Sequence, residues 1–183
     1  MFFEKQGPVW ETLRDLEERL KEAGIDYVVI GGLALNAYNY PRQTVDVDIV
    51  VTEDDYRKFK ERFVPANYTS ETGAPRRFLD TRTDVAVDLL IAGQLAGRTS
   101  KNSSVRFPHP GEAEMHGDLR TVSLARLIEL KLVTWRYKDW GDVVELIRRN
   151  NLPSSFADDL DPVVGSGYGE CFDQASDEEY EGS

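Results

Sequence analysis

Asp46 and Asp48 stand two apart in the run Val45-Asp46-Val47-Asp48-Ile49-Val50-Val51, and Asp88 interrupts Val85-Ala86-Val87-Asp88-Leu89-Leu90. Successive side chains of a strand point to opposite faces, so Asp46 and Asp48 share one face while Val45, Val47 and Ile49 take the other. Asp88 joins them if its strand lies beside theirs. A carboxylate inside an apolar run is costly unless it is paired or bound to a metal. Three carboxylates in one place repel each other and hold each other's pKa values up. Divalent cations relieve that repulsion, and a two-metal site is an established way to move a phosphoryl or nucleotidyl group. An isolated Asp-x-Asp alternation is most often only the solvated face of a half-buried strand. Asp88, embedded among apolar residues, strengthens the chemical reading.

Gly31-Gly32 follows the apolar run Val28-Val29-Ile30, with 13 residues between Gly32 and Asp46. Without Cβ atoms this backbone can approach a phosphate, and its N–H groups would open a short helix beginning at Leu33. The bland alternative is a plain strand-to-helix turn. Arg42 lies on the loop leading to Asp46 and faces either a triphosphate or solvent. Thr44 orders the same loop. Lys131 breaks the apolar helical run Leu130-Lys131-Leu132-Val133, so it is either a site residue or a surface one.

In order and spacing, Ile30-Gly31-Gly32, Asp46-Val47-Asp48-Ile49 and Val87-Asp88-Leu89 resemble the signature of the nucleotidyltransferase superfamily of the DNA polymerase beta type. Leu124 to Leu132, followed by Arg136, Lys138, Asp139 and Asp142, looks like the subgroup of bacterial minimal nucleotidyltransferases that contains abortive-infection toxins. The resemblance covers about residues 10 to 150. It implies that Asp46, Asp48 and Asp88 are catalytic and ligate two magnesium or manganese ions. It further implies that Gly31, Gly32, Arg42, Thr44 and Lys131 bind the nucleoside triphosphate. Many relatives carry Ser where Gly32 stands, so here the phosphate grip falls to backbone and basic residues. Two divalent ions would more than balance the three carboxylates, leaving the site receptive to a polyanion.

The rest of the composition agrees with hard oxygen ligation. His109, His116 and the single Cys171 are too few for a zinc site. The lone cysteine suits a reducing, cytoplasmic setting, and no apolar run approaches the roughly 20 residues of a membrane helix. The formal net charge of −11 is unevenly spread: nine acids and no Lys or Arg follow Arg149. Setting those nine aside leaves 24 acids against 22 bases, so residues 1–149 are nearly neutral.

Periodicity places helices at Pro8 to Ala23, at Glu53 to Phe63 behind a Thr52 cap, and at about 123–150. That last stretch divides into one helix capped by Ser123 and running to about Tyr137, and another capped by Asp139. Strands are expected at Tyr27 to Ile30, Val45 to Val51, Arg77 to Asp80 and Asp84 to Ile91, the last two forming a hairpin. Residues 93–118 read as loops with short strands at most. The fold class is therefore α/β (α+β), a mixed, largely antiparallel sheet flanked by helices. One domain is expected over residues 1–162, with 163–183, rich in Gly, Ser and acids, as a flexible tail.

The expected activity is metal-dependent transfer of a nucleotidyl group to an acceptor hydroxyl. RNA, tRNA first, is favoured over a protein hydroxyl, partly because Arg76, Arg77 and Arg82 could guide an RNA backbone. A toxin–antitoxin role, with a partner protein or homodimer mate, follows from the resemblance. The rivals are a non-catalytic binding module or antitoxin partner on the same fold, and an acidic tail that mimics nucleic acid. Trp135, Tyr137 and Trp140 are read as core aromatics in preference to base-stacking ones.

Overall fold

A computed structural model describes residues 6–97 and 104–177. The chain builds α1 (Pro8–Ala23), β1 (Val28–Ile30), the short α2 (Gly31–Ala34), β2 (Asp46–Val51), α3 (Glu53–Phe63), β3 (Tyr68–Glu71), β4 (Ala74–Asp80) and β5 (Ala86–Ile91). After a long loop come β6 (Glu114–His116), β7 (Leu119–Thr121), α4 (Leu124–Leu132), α5 (Tyr137–Asn150) and α6 (Gly165–Asp177). The strands form one sheet in the order β3-β4-β5-β2-β1-β7-β6. Only β2–β5 and β1–β7 run parallel, so the sheet is mixed and largely antiparallel as expected. Among the described residues no helix is long and apolar enough to cross a membrane.

Strand alternation divides the core in two. Val47, Ile49 and Val51 of β2 and Val87, Leu89 and Ile91 of β5 pack with Leu13, Leu16 and Leu20 of α1 and Phe59 and Phe63 of α3. Val28, Ile30 and Val50 face the other way, towards Leu127, Ile128, Val143, Leu146 and Ile147 of α4 and α5. Asp46 and Asp48 alternate with the first set and therefore lie on the α4–α5 side, at the start of β2. The caps are as expected at two helices: Thr52 accepts from the Asp55 amide and Ser123 from the Arg126 amide.

Several expectations change. The helix from Ser123 stops at Leu132 instead of Tyr137, and Asp139 is not a cap, because the N-cap of α5 is Arg136. The turn between them places Trp135 at φ 56, a left-handed conformation that is costly for a bulky side chain. Trp135 and Tyr137 are exposed, at 67% and 99%, so they are not core aromatics; Trp140 packs against the core instead. Strands β3 and β7 lie outside the expected set, being short and backed by little alternation.

A further change concerns the C-terminus. Residues 163–177 are not a free tail: α6 buries Tyr168, Cys171 and Ala175, one helical stripe, against the α4–α5 core. Its glycines hid it, yet Gly167 is where the Trp140 indole comes close: a Cβ there would meet Trp140 Cζ2 at 3.3 Å. Arg148 donates to the Gln174 and Ala175 carbonyls near the end of the helix. Residues 178–183 of the expected tail lie outside the described residues. Ending the chain at Pro162 should therefore remove Val164, Tyr168, Cys171 and Ala175 and uncover the α4–α5 core beneath them, at a cost of about 4–8 kcal/mol, much of a domain's stability. A thermal melt of the shortened chain checks this; an unchanged melting temperature would show that α6 adds nothing to the core.

Candidate active site

The sheet register assembles the acids. In the parallel β2–β5 pair, Asp48 is the direct partner of Asp88, and in the antiparallel β1–β2 pair Ile30 is the partner of Asp48. One row across the sheet thus reads Arg77, Asp88, Asp48, Ile30, with Gly31 immediately after. Asp46, Asp48 and Asp88 each place a carboxylate oxygen within 4.8 Å of the others, all three partly buried. Such a set of hard, anionic oxygens fits a magnesium or manganese ion.

The electrostatics record the crowding. Burial, then the charges of Asp46 and Asp88, push the Asp48 carboxyl up to about 7, against the opposing pull of Lys131 and Arg136. Asp88 is also raised, chiefly by burial, although the Arg77 guanidinium draws it back. The Thr44 hydroxyl donates to Asp46 Oδ1 at 3.0 Å and so ties the approach loop to the first carboxylate.

Both glycines are needed for close approach. Gly31 has φ 68, and a Cβ there would sit 2.1 Å from Asp48 Oδ2. Its first role is thus to make room for the Asp48 carboxylate. A Cβ on Gly32 would meet Thr44 Oγ1 at 2.6 Å and Arg42 Nη2 at 3.4 Å, so the loop carrying Arg42 and Thr44 lies directly on the turn. The helix opens at Gly31, not at Leu33, and continues as a 3₁₀ turn over Leu35–Tyr38. Beside this turn is a cavity of about 370 Å³ whose lining includes Trp10, Leu33, Asn36, Arg42 and Thr44.

Lys131 is not a surface residue. It is buried, with Nζ 2.7 Å from Asp142 Oδ2 and 3.3 Å from Asp139 Oδ1. Asp142 also meets Arg42 Nε at 3.4 Å, and Arg136 Nε donates to Asp139 Oδ2 at 2.6 Å. Burial would raise the Asp139 carboxyl, but Lys131, the Thr134 hydroxyl and Arg136 together hold it below its ordinary value. A charged network thus runs from the Arg42 loop through α4 to the first turn of α5, behind the carboxylates.

Arg76, Arg77 and Arg82 do not form a common basic face. Arg76 donates to Gln94 Oε1 and Arg82 pairs with Asp15 of α1. Arg77 pairs with Asp88 itself. Sequence reasoning grouped Arg77 with its neighbours and missed its place on the third carboxylate. Counting outward from a Thr81-Arg82-Thr83 turn would set Arg76 opposite Asp88; Asp84, at φ 57, lengthens the loop by one residue and brings Arg77 there instead. His109 caps the turn Pro110–Glu112, and His116 meets Tyr38 and Glu114, so neither histidine joins the carboxylates.

No family profile and no curated protein matches the chain. Among solved structures, it is similar to the solution structure of the antibiotic-resistance factor ANT(2'')-Ia. The two share 14% identity over 92% of this chain and 95% of that one, with a TM-score of 0.50. A crystal structure of ANT(2'')-Ia in complex with adenylyl-2''-tobramycin is covered at 91%, with 93% of this chain, 14% identity and a TM-score of 0.44. Sheet order, flanking helices and the first of these likenesses agree: the chain has a nucleotidyltransferase-like fold.

Proposed function

We propose that the protein is a metal-dependent nucleotidyltransferase, with Asp46, Asp48 and Asp88 as its catalytic residues. The observation that carries this reading is the convergence of these three carboxylates within 4.8 Å at the ends of two parallel strands, with Gly31 cleared for Asp48. The three acids would hold two magnesium or manganese ions. Such ions, when bound, neutralise charge on the transferring group and lower the pKa of an attacking hydroxyl.

The chain's own residues supply positioning. The backbone at Gly31 and Gly32 can approach phosphate oxygens, and Arg42 and Thr44 lie against that turn. Lys131, whose ammonium is held by Asp139 and Asp142, is assigned to the triphosphate by the resemblance alone. Asp88, which burial raises from its ordinary value while Arg77 draws it back, can help to remove the acceptor hydroxyl's proton. The acceptor oxygen then bonds to the α-phosphorus, the bond to the β-phosphate bridging oxygen breaks, and pyrophosphate leaves. The acceptor we favour is RNA, tRNA first, over a protein hydroxyl. This rests on the resemblance, since Arg76, Arg77 and Arg82 are dispersed. A toxin-type role beside an antitoxin partner in the cytoplasm belongs to the same reading.

Calorimetric titration with the four ribonucleoside triphosphates, with and without magnesium, tests the proposal. Binding is expected only with metal. Labelled triphosphates incubated separately with total RNA, with polypeptide and with an aminoglycoside should then mark one acceptor class. Triphosphate binding that is equally tight in the presence of a chelator would sink the reading.

A further inference from the structure

Arg77 is seated on Asp88 Oδ2 and reaches towards Asp46. It is the direct cross-strand partner of Asp88 on the same row of the sheet. Its Nη1 is 2.5 Å from Asp88 Oδ2 and 3.9 Å from Asp46 Oδ2, so one donor faces two of the three acids. Its Nε is 3.1 Å from Glu71 Oε2 on β3, the strand at the edge of the sheet.

We propose that Arg77 is a displaceable counter-ion of the carboxylate triad, which holds Asp88 while the metal is absent and shifts to Glu71 when the metal binds. The inference rests on the reading of the triad as a metal site. A guanidinium stays protonated throughout the accessible pH range, so it cannot yield by losing its proton and has to move. A divalent ion drawn to Asp88 Oδ2 competes with the guanidinium already seated there. Glu71 is already in contact through Nε, and the Arg77 side chain is 34% exposed, so rotation of the outer guanidinium does not disturb the core. Arg77 then serves as a positioning residue with two consequences. It stabilises three crowded acids in the metal-free chain, and it weakens binding of metal alone. A metal ion that arrives with a triphosphate brings anionic oxygens that can also receive the freed guanidinium, so metal and nucleotide load together.

Manganese binding to the full chain without nucleotide, followed by electron paramagnetic resonance, reads this directly. Arg77→Met should bind manganese at least about tenfold more tightly than wild type, because the competitor is gone. Arg77→Lys should fall between them, as a point charge that cannot span Asp88 and Glu71 together. Glu71→Gln should bind more weakly than wild type, since Arg77 loses its second anchor. Asp46→Asn, as a control, should lose the signal and so place the ion at the triad. Metal-free melts should show Arg77→Met less stable than wild type, with manganese closing the gap.

Equal or weaker manganese binding by Arg77→Met, or no binding by any variant, overturns the inference. A tighter Arg77→Met without nucleotidyl transfer to any acceptor supports the counter-ion role while the transfer reading fails. Unchanged affinity with transfer intact does the reverse.

Discussion

Asp46→Asn and Asp48→Asn are each expected to lower nucleotidyl transfer on the order of 10³-fold or more, because each removes an anionic ligand worth several kcal/mol in the transition state. Both should also lose metal-dependent triphosphate binding. The sign of a second measurement separates a site residue from a structural one. Asp48 is held among two like charges and against burial, with its carboxyl pushed up to about 7. Replacing it with the neutral, near-isosteric Asn removes that repulsion. The metal-free variant should therefore melt higher than wild type, by about 2–4 °C for each kcal/mol regained. Added magnesium should stabilise wild type and leave the variant unmoved. Strain kept at a site that a metal can relieve is the mark of function over stability. If Asp48→Asn instead melts several degrees lower in chelator, the carboxylate is a structural acceptor and the catalytic assignment fails.

The triad was legible because its evidence is local. A two-residue alternation fixes Asp46 and Asp48 on one face whatever the sheet does, and an acid inside Val-Ala-Val-Asp-Leu-Leu requires a reason. That Asp88 should be the direct neighbour of Asp48 is a matter of register between strands 40 residues apart, which local pattern leaves open. The hairpin from β4 to β5 is pinned more closely by its short turn, yet one extra loop residue, Asp84, decides whether Arg76 or Arg77 stands opposite Asp88. Lys131 was left between surface and site because a single charge in an apolar helical run is ambiguous. Only the fold shows that Asp139 and Asp142, one turn of helix apart on α5, close on it. The acidic C-terminal stretch misled by composition. Tyr168, Cys171 and Ala175 are few among glycines, serines and acids, yet they fall on one stripe and meet a core ready to receive them. Average polarity described the outer face of α6 and concealed the inner one.

Lys131→Met should cost the fold about 3–5 kcal/mol, the largest single-residue loss of stability expected here. The Lys131 side chain is 5% exposed, and those of Asp139 and Asp142 are 8% and 2%, so the substitution strands two buried carboxylates. Arg136 and Arg42 still reach Asp139 and Asp142, which keeps the loss towards the lower end. The pH dependence has a definite sign. In wild type, Asp139 titrates below its ordinary value of 3.8, so its contribution is present above that value and is lost as pH falls through the lowered one. Without the ammonium the same carboxyl should titrate higher in the folded chain. The gap in melting temperature between wild type and Lys131→Met should then narrow as pH falls towards the ordinary carboxylate value, because Asp139 takes up its proton more readily in the variant. A gap that stays constant would mean that the lysine stem acts by packing alone. Removing one stranded charge in Lys131→Met/Asp142→Asn should recover part of the lost melting temperature, a coupling that independent sites would not show. The double variant also separates structure from function. If Lys131 holds phosphate, as the resemblance implies, the recovered fold should still bind triphosphate poorly; binding at wild-type strength would confine Lys131 to holding α4 against α5.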